Sequence, residues 1–158
     1  MRVKDLMTNQ VQCCRPEESL QRAAQLMWDG DCGCLPVCSG DGANRLVGVI
    51  TDRDVCMSAL FQDKPLNDLQ VSSAMARQVH TCRVSDSLAQ AERIMREARV
   101  RRLPVLDAQD SLAGMISLAD LAREAARERA QPHKEITEVE VGNTLASICV
   151  PISRALAA

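Results

Sequence analysis

The sequence predicts a mixed α/β (α+β) fold in which one β-α-β-β-α unit is used twice, the two copies packing as a pseudo-two-fold pair. Three observations predict it. First, the chain repeats itself. Met7, Val11, Cys14-Arg15, Ser19-Leu20, Ala23, Met27 and Leu35-Pro36-Val37 recur as Met75, Val79, Cys82-Arg83, Ser87-Leu88, Ala91, Met95 and Leu103-Pro104-Val105, all at a spacing of 68 residues. Farther on, Gly48 to Asp54 lies beside Gly114 to Asp120 at a spacing of 66. The two-residue difference falls in the Gly/Asp-rich stretch SGDGAN, where a surface turn tolerates insertion. Second, each copy carries the same alternation of helical and extended patterning. Third, a unit of roughly 50 residues buries too little apolar surface to stand alone, so two exposed sheet faces are expected to cover each other.

The elements follow in order within each copy. A short extended piece opens it, over 11–14 and 79–83. A helix is predicted next, over 17–28 and 86–98, because Leu20, Ala23, Ala24 and Met27, and then Leu88, Ala91 and Met95, recur at helical spacing. Acidic residues near its start suit the helix dipole. A strand follows at 35–38 and 103–106, at an X-Pro step that favours extended backbone. After a turn comes a second strand, 46–50 and 112–116, and then a helix beginning near Asp52 and Leu118. Between the copies, KPLNDLQVSSAM reads as a linker of short helix and turn. The expected division is repeat 1 at 1–62, linker at 63–73, repeat 2 at 74–130 and a tail at 131–158. After Asp120, LAREAARERAQ reads as a charge-laced helix ending before Pro132, ITEVEV beyond it as an alternating edge strand, and the rest as an apolar end broken by Pro151. That apolar end could pack on the module, pair with another copy or be partly disordered, and packing in a dimer is the preferred reading.

Composition narrows the function. The 158 residues carry 19 basic and 21 acidic side chains, a net charge of −2, which argues against nucleic acid or a membrane surface as partner. Trp28 and Phe61 are the only aromatic residues, so bases are not recognised on aromatic platforms. MRVKDLMTNQ has no apolar signal core and no apolar run is long enough to span a bilayer, so a cytoplasmic protein with reduced thiols is expected. No nucleophile elbow, phosphate-binding Gly-rich loop with Lys, or His–carboxylate cluster appears, so no catalytic residue is assigned.

The strings GCLPV and GVITDRD, with their looser second versions RRLPV and GMISLAD, resemble the CBS domain, named after cystathionine β-synthase; both copies match, covering about 4–125. The resemblance implies a non-catalytic pair of domains that binds an adenosyl ligand (AMP, ADP, ATP, NAD or S-adenosylmethionine) in a cleft between the repeats. It implies no obligatory cofactor, a homodimer, and regulation of an effector that would be a separate protein. It also implies site residues. Thr51 and Asp54, and Ser117 and Asp120, would hold the ribose and α-phosphate, the carboxylate accepting both vicinal hydroxyls. The adenine wall would come from the opposite copy: Arg77, Val79, Val100, Arg101 and Arg102 facing Asp54, and Val11, Cys32 and Cys34 facing Asp120. Arg53 and the three other arginines suit phosphate at the Asp54 cleft, whereas Asp31 would repel it at the other. The first cleft is therefore expected to bind and the second to bind weakly or not at all. Thr-x-x-Asp and Ser-x-x-Asp also match a helix capping box, and for the hydroxyls the two roles are compatible.

Eight cysteines stand apart. Cys32, Cys34 and Cys38 lack the paired Cys-x-x-Cys spacing of a zinc site, so no metal is assigned and small core hydrophobes are the expected role. A cysteine-based metal or redox sensor, with Cys32 and Cys34 as the switch, and a ligand-free dimerisation module are the alternative functions.

Overall fold

A computed structural model of the chain describes residues 1–151. The elements run β1 (Thr8–Asn9), α1 (Leu20–Asp29), β2 (Cys34–Cys38), β3 (Leu46–Thr51), α2 (Asp52–Gln62), β4 (Cys82–Arg83), α3 (Leu88–Ala98), β5 (Arg102–Leu106), β6 (Leu112–Ser117), α4 (Leu118–Arg127) and α5 (Glu138–Ile148). The predicted strand pairs and the starts of α2 and α4 agree closely with this order. The piece predicted at 11–14 is not a strand; only Cys14 bridges, in parallel, to Val37. The linker holds two single turns of 3₁₀ helix, Leu66–Asp68 and Val71–Ser73.

The first helix of each copy begins two to three residues later than the periodicity predicts, for one physical reason. Ser19 and Ser87 accept the amides of Arg22 and Gln90, and so fix the N-caps. The acids before them close a turn instead of sitting in the first helical turn. Glu18 accepts the Arg15 amide at 2.7 Å and Asp86 the Arg83 amide at 2.8 Å.

The chain forms two compact units. One, the N-repeat unit, contains Thr8–Val79 and Leu106–Gly114; the other, the C-repeat unit, contains Met1–Met7, His80–Val105 and the chain from Met115 onward. In the N-repeat unit β2 and β3 form an antiparallel hairpin in which Cys34 lies opposite Thr51 and Pro36 opposite Val49. Leu20, Leu35, Val37, Ile50 and Val71 are the largest fully buried side chains of its core. The segment after the linker extends the hairpin: Val49 and Ala76 exchange backbone hydrogen bonds at 3.0 and 2.9 Å. In the C-repeat unit β5 lies between β4 and β6, over a core of Val3, Leu88, Met95, Leu103, Ile116 and Leu121.

Each unit borrows the turn that leads into the opposite repeat. The amide of Val3 donates to Asp86 at 2.8 Å, and that of Val71 to Glu18 at 2.9 Å. Arg2 bridges Ser87, and Ser19 bridges Gln70. Val3 and Val71 are both fully buried.

The tail departs from expectation. ITEVEV is not an edge strand. Thr137 caps α5, its hydroxyl accepting the Glu140 amide while Glu140 reaches back to Thr137 at 2.7 Å, so the alternating residues span a cap and a first helical turn. Helix α5 lies against α3 and α4 of its own chain while Leu145 and Val150 stay exposed, and residues 152–158 lie outside the described residues. Buried Thr144 donates its hydroxyl to buried Glu92, which also takes Arg96 at 3.3 Å. Glu128, also buried, accepts the amides of Glu135 and Ile136. The helix after Asp120, predicted to run to just before Pro132, ends as α4 at Arg127.

Candidate functional site

The two hydroxyl–acid pairs sit at the N-termini of α2 and α4, where a strand turns directly into a helix. Both are complete capping boxes. Thr51 Oγ1 accepts the Asp54 amide at 3.2 Å, and Asp54 Oδ2 accepts the Thr51 amide at 2.9 Å and its hydroxyl at 2.7 Å. Ser117 Oγ accepts the Asp120 amide at 3.3 Å, and Asp120 Oδ2 accepts the Ser117 amide at 2.8 Å and its hydroxyl at 2.6 Å.

The second carboxylate oxygens differ. Asp120 is buried, and its Oδ1 is taken by the guanidinium of Arg123, one turn on. Asp54 is half-buried, and among the described residues no donor reaches its Oδ1. That oxygen keeps both lone pairs, which is the acceptor capacity two vicinal hydroxyls need. Sequence reasoning missed this distinction although a signal was present: Met57 stands at the place that Arg123 occupies in the second copy.

In each unit the residues before the first hairpin strand lie beside the helix start. The Asp52 amide donates to the Gly33 carbonyl at 3.2 Å, and the Leu118 amide to the Arg101 carbonyl at 2.8 Å. A Cβ on Gly33 would come within 2.7 Å of Asp52 Oδ2, the far end of an exposed side chain that can swing aside. Of the predicted site residues, Val11, Cys32, Cys34, Thr51, Arg53, Asp54, Arg77 and Val79 belong to the N-repeat unit, and Val100, Arg101, Arg102, Ser117 and Asp120 to the C-repeat unit. Arg53 and Arg102 are exposed. Arg77 donates to the Ser72 carbonyl at 3.4 Å, and Arg101 to the Cys149 sulfur at 3.7 Å.

An open cavity of about 400 Å³ in the N-repeat unit is lined by Met27, Trp28, Asp31, Cys32, Gly33 and Asp52. Its two carboxylates disfavour phosphate there. Among the described residues no group of three His, Cys, Asp or Glu side chains is placed to hold a metal ion, and no helix is long and apolar enough to cross a membrane.

A family model described as "CBS domain" matches residues 3–59 and again 71–127. The chain is 35% identical over 120 residues to the CBS domain-containing protein YhcV of Bacillus subtilis, covering 76% of this chain and 82% of that protein. It is 32% identical over the same length to Hypoxic response protein 1 of Mycobacterium tuberculosis, with the same coverage. Among solved structures it is similar to Hypoxic Response Protein I with two coordinated zinc ions (TM-score 0.69, 32% identity, 78% of this chain and 98% of that one). It is likewise similar to CBSX2 of Arabidopsis thaliana in complex with AMP (TM-score 0.68, 28% identity, 81% and 98%).

Proposed function

Because the chain belongs to the CBS-domain family, we propose that it is a regulatory module that binds an adenosyl ligand (AMP, ADP, ATP, NAD or S-adenosylmethionine) and passes the bound state to an effector protein. One observation carries this reading: Asp54 Oδ1 has no donor among the described residues, at a helix N-terminus whose other cap bonds are all made. A ribose diol supplies two hydroxyl donors to that oxygen, and bonds to a carboxylate are stronger than neutral ones. The AMP complex of CBSX2 supports the ligand class. Thr51, Arg53, Arg77 and Val79 belong to the same unit and complete the near side of the proposed site. Val100, Arg101 and Arg102 are proposed as its adenine wall on the family resemblance. At the second position Arg123 competes for the Asp120 oxygen a ribose would use, so one ligand per chain is expected, with Ser117, Val11, Cys32 and Cys34 as the weaker set.

In this reading repeat 1 is 1–62, the linker 63–73, repeat 2 74–130 and the tail 131–158. The proposed compartment is the cytoplasm, supported by eight free thiols. The proposed assembly is a homodimer, supported by exposed Trp28, Leu60 and Phe61 on α1 and α2. No reaction is assigned to the chain.

Calorimetry and thermal melting with the five ligands test the proposal. At 100 times its dissociation constant, a binder stabilises the fold by about 2.7 kcal/mol. Asp54→Ala removes that gain. The lost cap costs only about 0.5–2 kcal/mol, so the apo variant stays folded. Five silent ligands, or a binder indifferent to Asp54→Ala, would overturn the reading.

A further inference from the structure

The N-repeat unit holds a thiol arrangement that the ligand reading does not use. Cys14 pairs in parallel with Val37: its amide donates to the Pro36 carbonyl at 3.1 Å, and the Cys38 amide to the Cys14 carbonyl at 2.9 Å. Cys14 and Val37 both point into the core and are fully buried. In this parallel register Cys13 lies beside Pro36 and Arg15 beside Cys38, so Cys13 and Cys38 are diagonal neighbours on the opposite face. Burial first, then Cys13 and Cys14, push the Cys38 thiol up to about 12. Cys13 is half-buried, and its thiol points at Asn44 Oδ1, 3.9 Å away. An open cavity of about 470 Å³ is lined by both cysteines together with Arg15, Glu18, Ser39 and Asn44, so a small reagent reaches the pair. An isolated core cysteine has neither a thiol neighbour nor such access.

We propose that Cys13 and Cys38 are a modification site, closing to an intramolecular disulfide when met by a small-molecule disulfide of the glutathione class. The Cys13 thiolate attacks one sulfur of the reagent. The reagent's S–S bond breaks, one small thiolate leaves, and Cys13 carries a mixed disulfide. Cys38 then gives its proton to solvent, and its sulfur attacks Cys13 Sγ; the second small thiolate leaves and is protonated. Two protein thiols and one small disulfide become one protein disulfide and two small thiols, with two electrons passing to the reagent. Cys13 attacks because it is the more accessible partner, and Cys38 resolves. Because the resolving thiol is strongly protonated at neutral pH, closure accelerates as pH rises from 7 to 9. The bridge encloses all of α1 and the 32–34 segment that meets the start of α2, so it restrains the unit holding Asp54 without depending on ligand binding.

The reduced full chain, incubated with glutathione disulfide at pH 8, alkylated and peptide-mapped, decides the matter. The expected result is a mass loss of two hydrogens, a linked Cys13–Cys38 peptide, reversal by dithiothreitol and a higher melting temperature. Cys13→Ser abolishes the loss, whereas the double variant Cys56→Ser, Cys149→Ser keeps it. A link between other cysteines, accumulation of mixed disulfides alone, or an unchanged loss in Cys13→Ser overturns the proposal. Should Cys38→Ser fail to fold, the wild-type peptide map is sufficient.

Discussion

At the scale of single residues, two aspartates in equivalent sequence positions differ by one neighbour. Replacing Arg123 with Met, the residue that copy 1 carries at Met57, releases Asp120 Oδ1. Arg123→Met is therefore expected to raise the adenosyl-ligand stoichiometry measured by calorimetry from one toward two per chain. A stoichiometry still at one would mean that Arg123 is not what closes the second position. The buried thiols make a second prediction. Cys14, Cys38 and Cys82 are pushed from the ordinary 9.0 to about 12, chiefly by burial. Below about pH 9 these thiols are protonated in both folded and unfolded chains. From pH 9 to 12 the unfolded chain loses their protons while the folded chain keeps them, so stability falls as pH rises. Urea midpoints at pH 8 and pH 10 should show the decline, and Cys82→Ala should reduce it.

At the scale of elements, the hairpin of the N-repeat unit depends on the absence of one side chain. A Cβ at Gly48 would meet the Ala76 carbonyl and Met75 Sδ, both at 2.9 Å, and so push away the segment paired with Val49. Gly48→Val is expected to destabilise the chain by about 1–3 kcal/mol, read as a lower urea midpoint. An unshifted midpoint would show that the segment is not held against β3. The starts of α2 and α4 were legible in sequence because a hydroxyl stood three residues before an acid, whereas periodicity set the start of α3 two residues early. Thr51, Ser117 and Ser87 all cap as such pairs do. Thr137 and Glu140 form the same signal in the tail, where the alternation of ITEVEV outweighed it in the reading. Period-two patterning over six residues is weak evidence when two of them are a cap and its preceding residue.

At the scale of the whole chain, each unit depends on a turn that leads into the opposite repeat. Val3→Asp would bury a carboxylate in the C-repeat core, and Val71→Asp would do so in the N-repeat core. Each should cost more than about 4 kcal/mol. Hydrogen exchange is expected to show Val3→Asp releasing α3 and β5 first, and Val71→Asp releasing α1 and β2 first. The reverse pattern would contradict the exchange of leading turns.

The duplicated order of strands and helices, the starts of α2 and α4 and the family were all readable in the sequence, because capping and periodicity act over a few residues and repeat in register. Which unit receives each leading turn was not readable, since Val3 and Val71 are equally apolar and only packing assigns them. Nor was the fate of the two aspartates. Arg123 has the reach to point to solvent or fold back on Asp120, and that choice belongs to the folded surroundings of the side chain. The tail followed the same rule: its apolar residues announced burial, but the buried Thr144–Glu92 contact that seats α5 on α3 joins groups 52 residues apart, beyond the range of any local pattern.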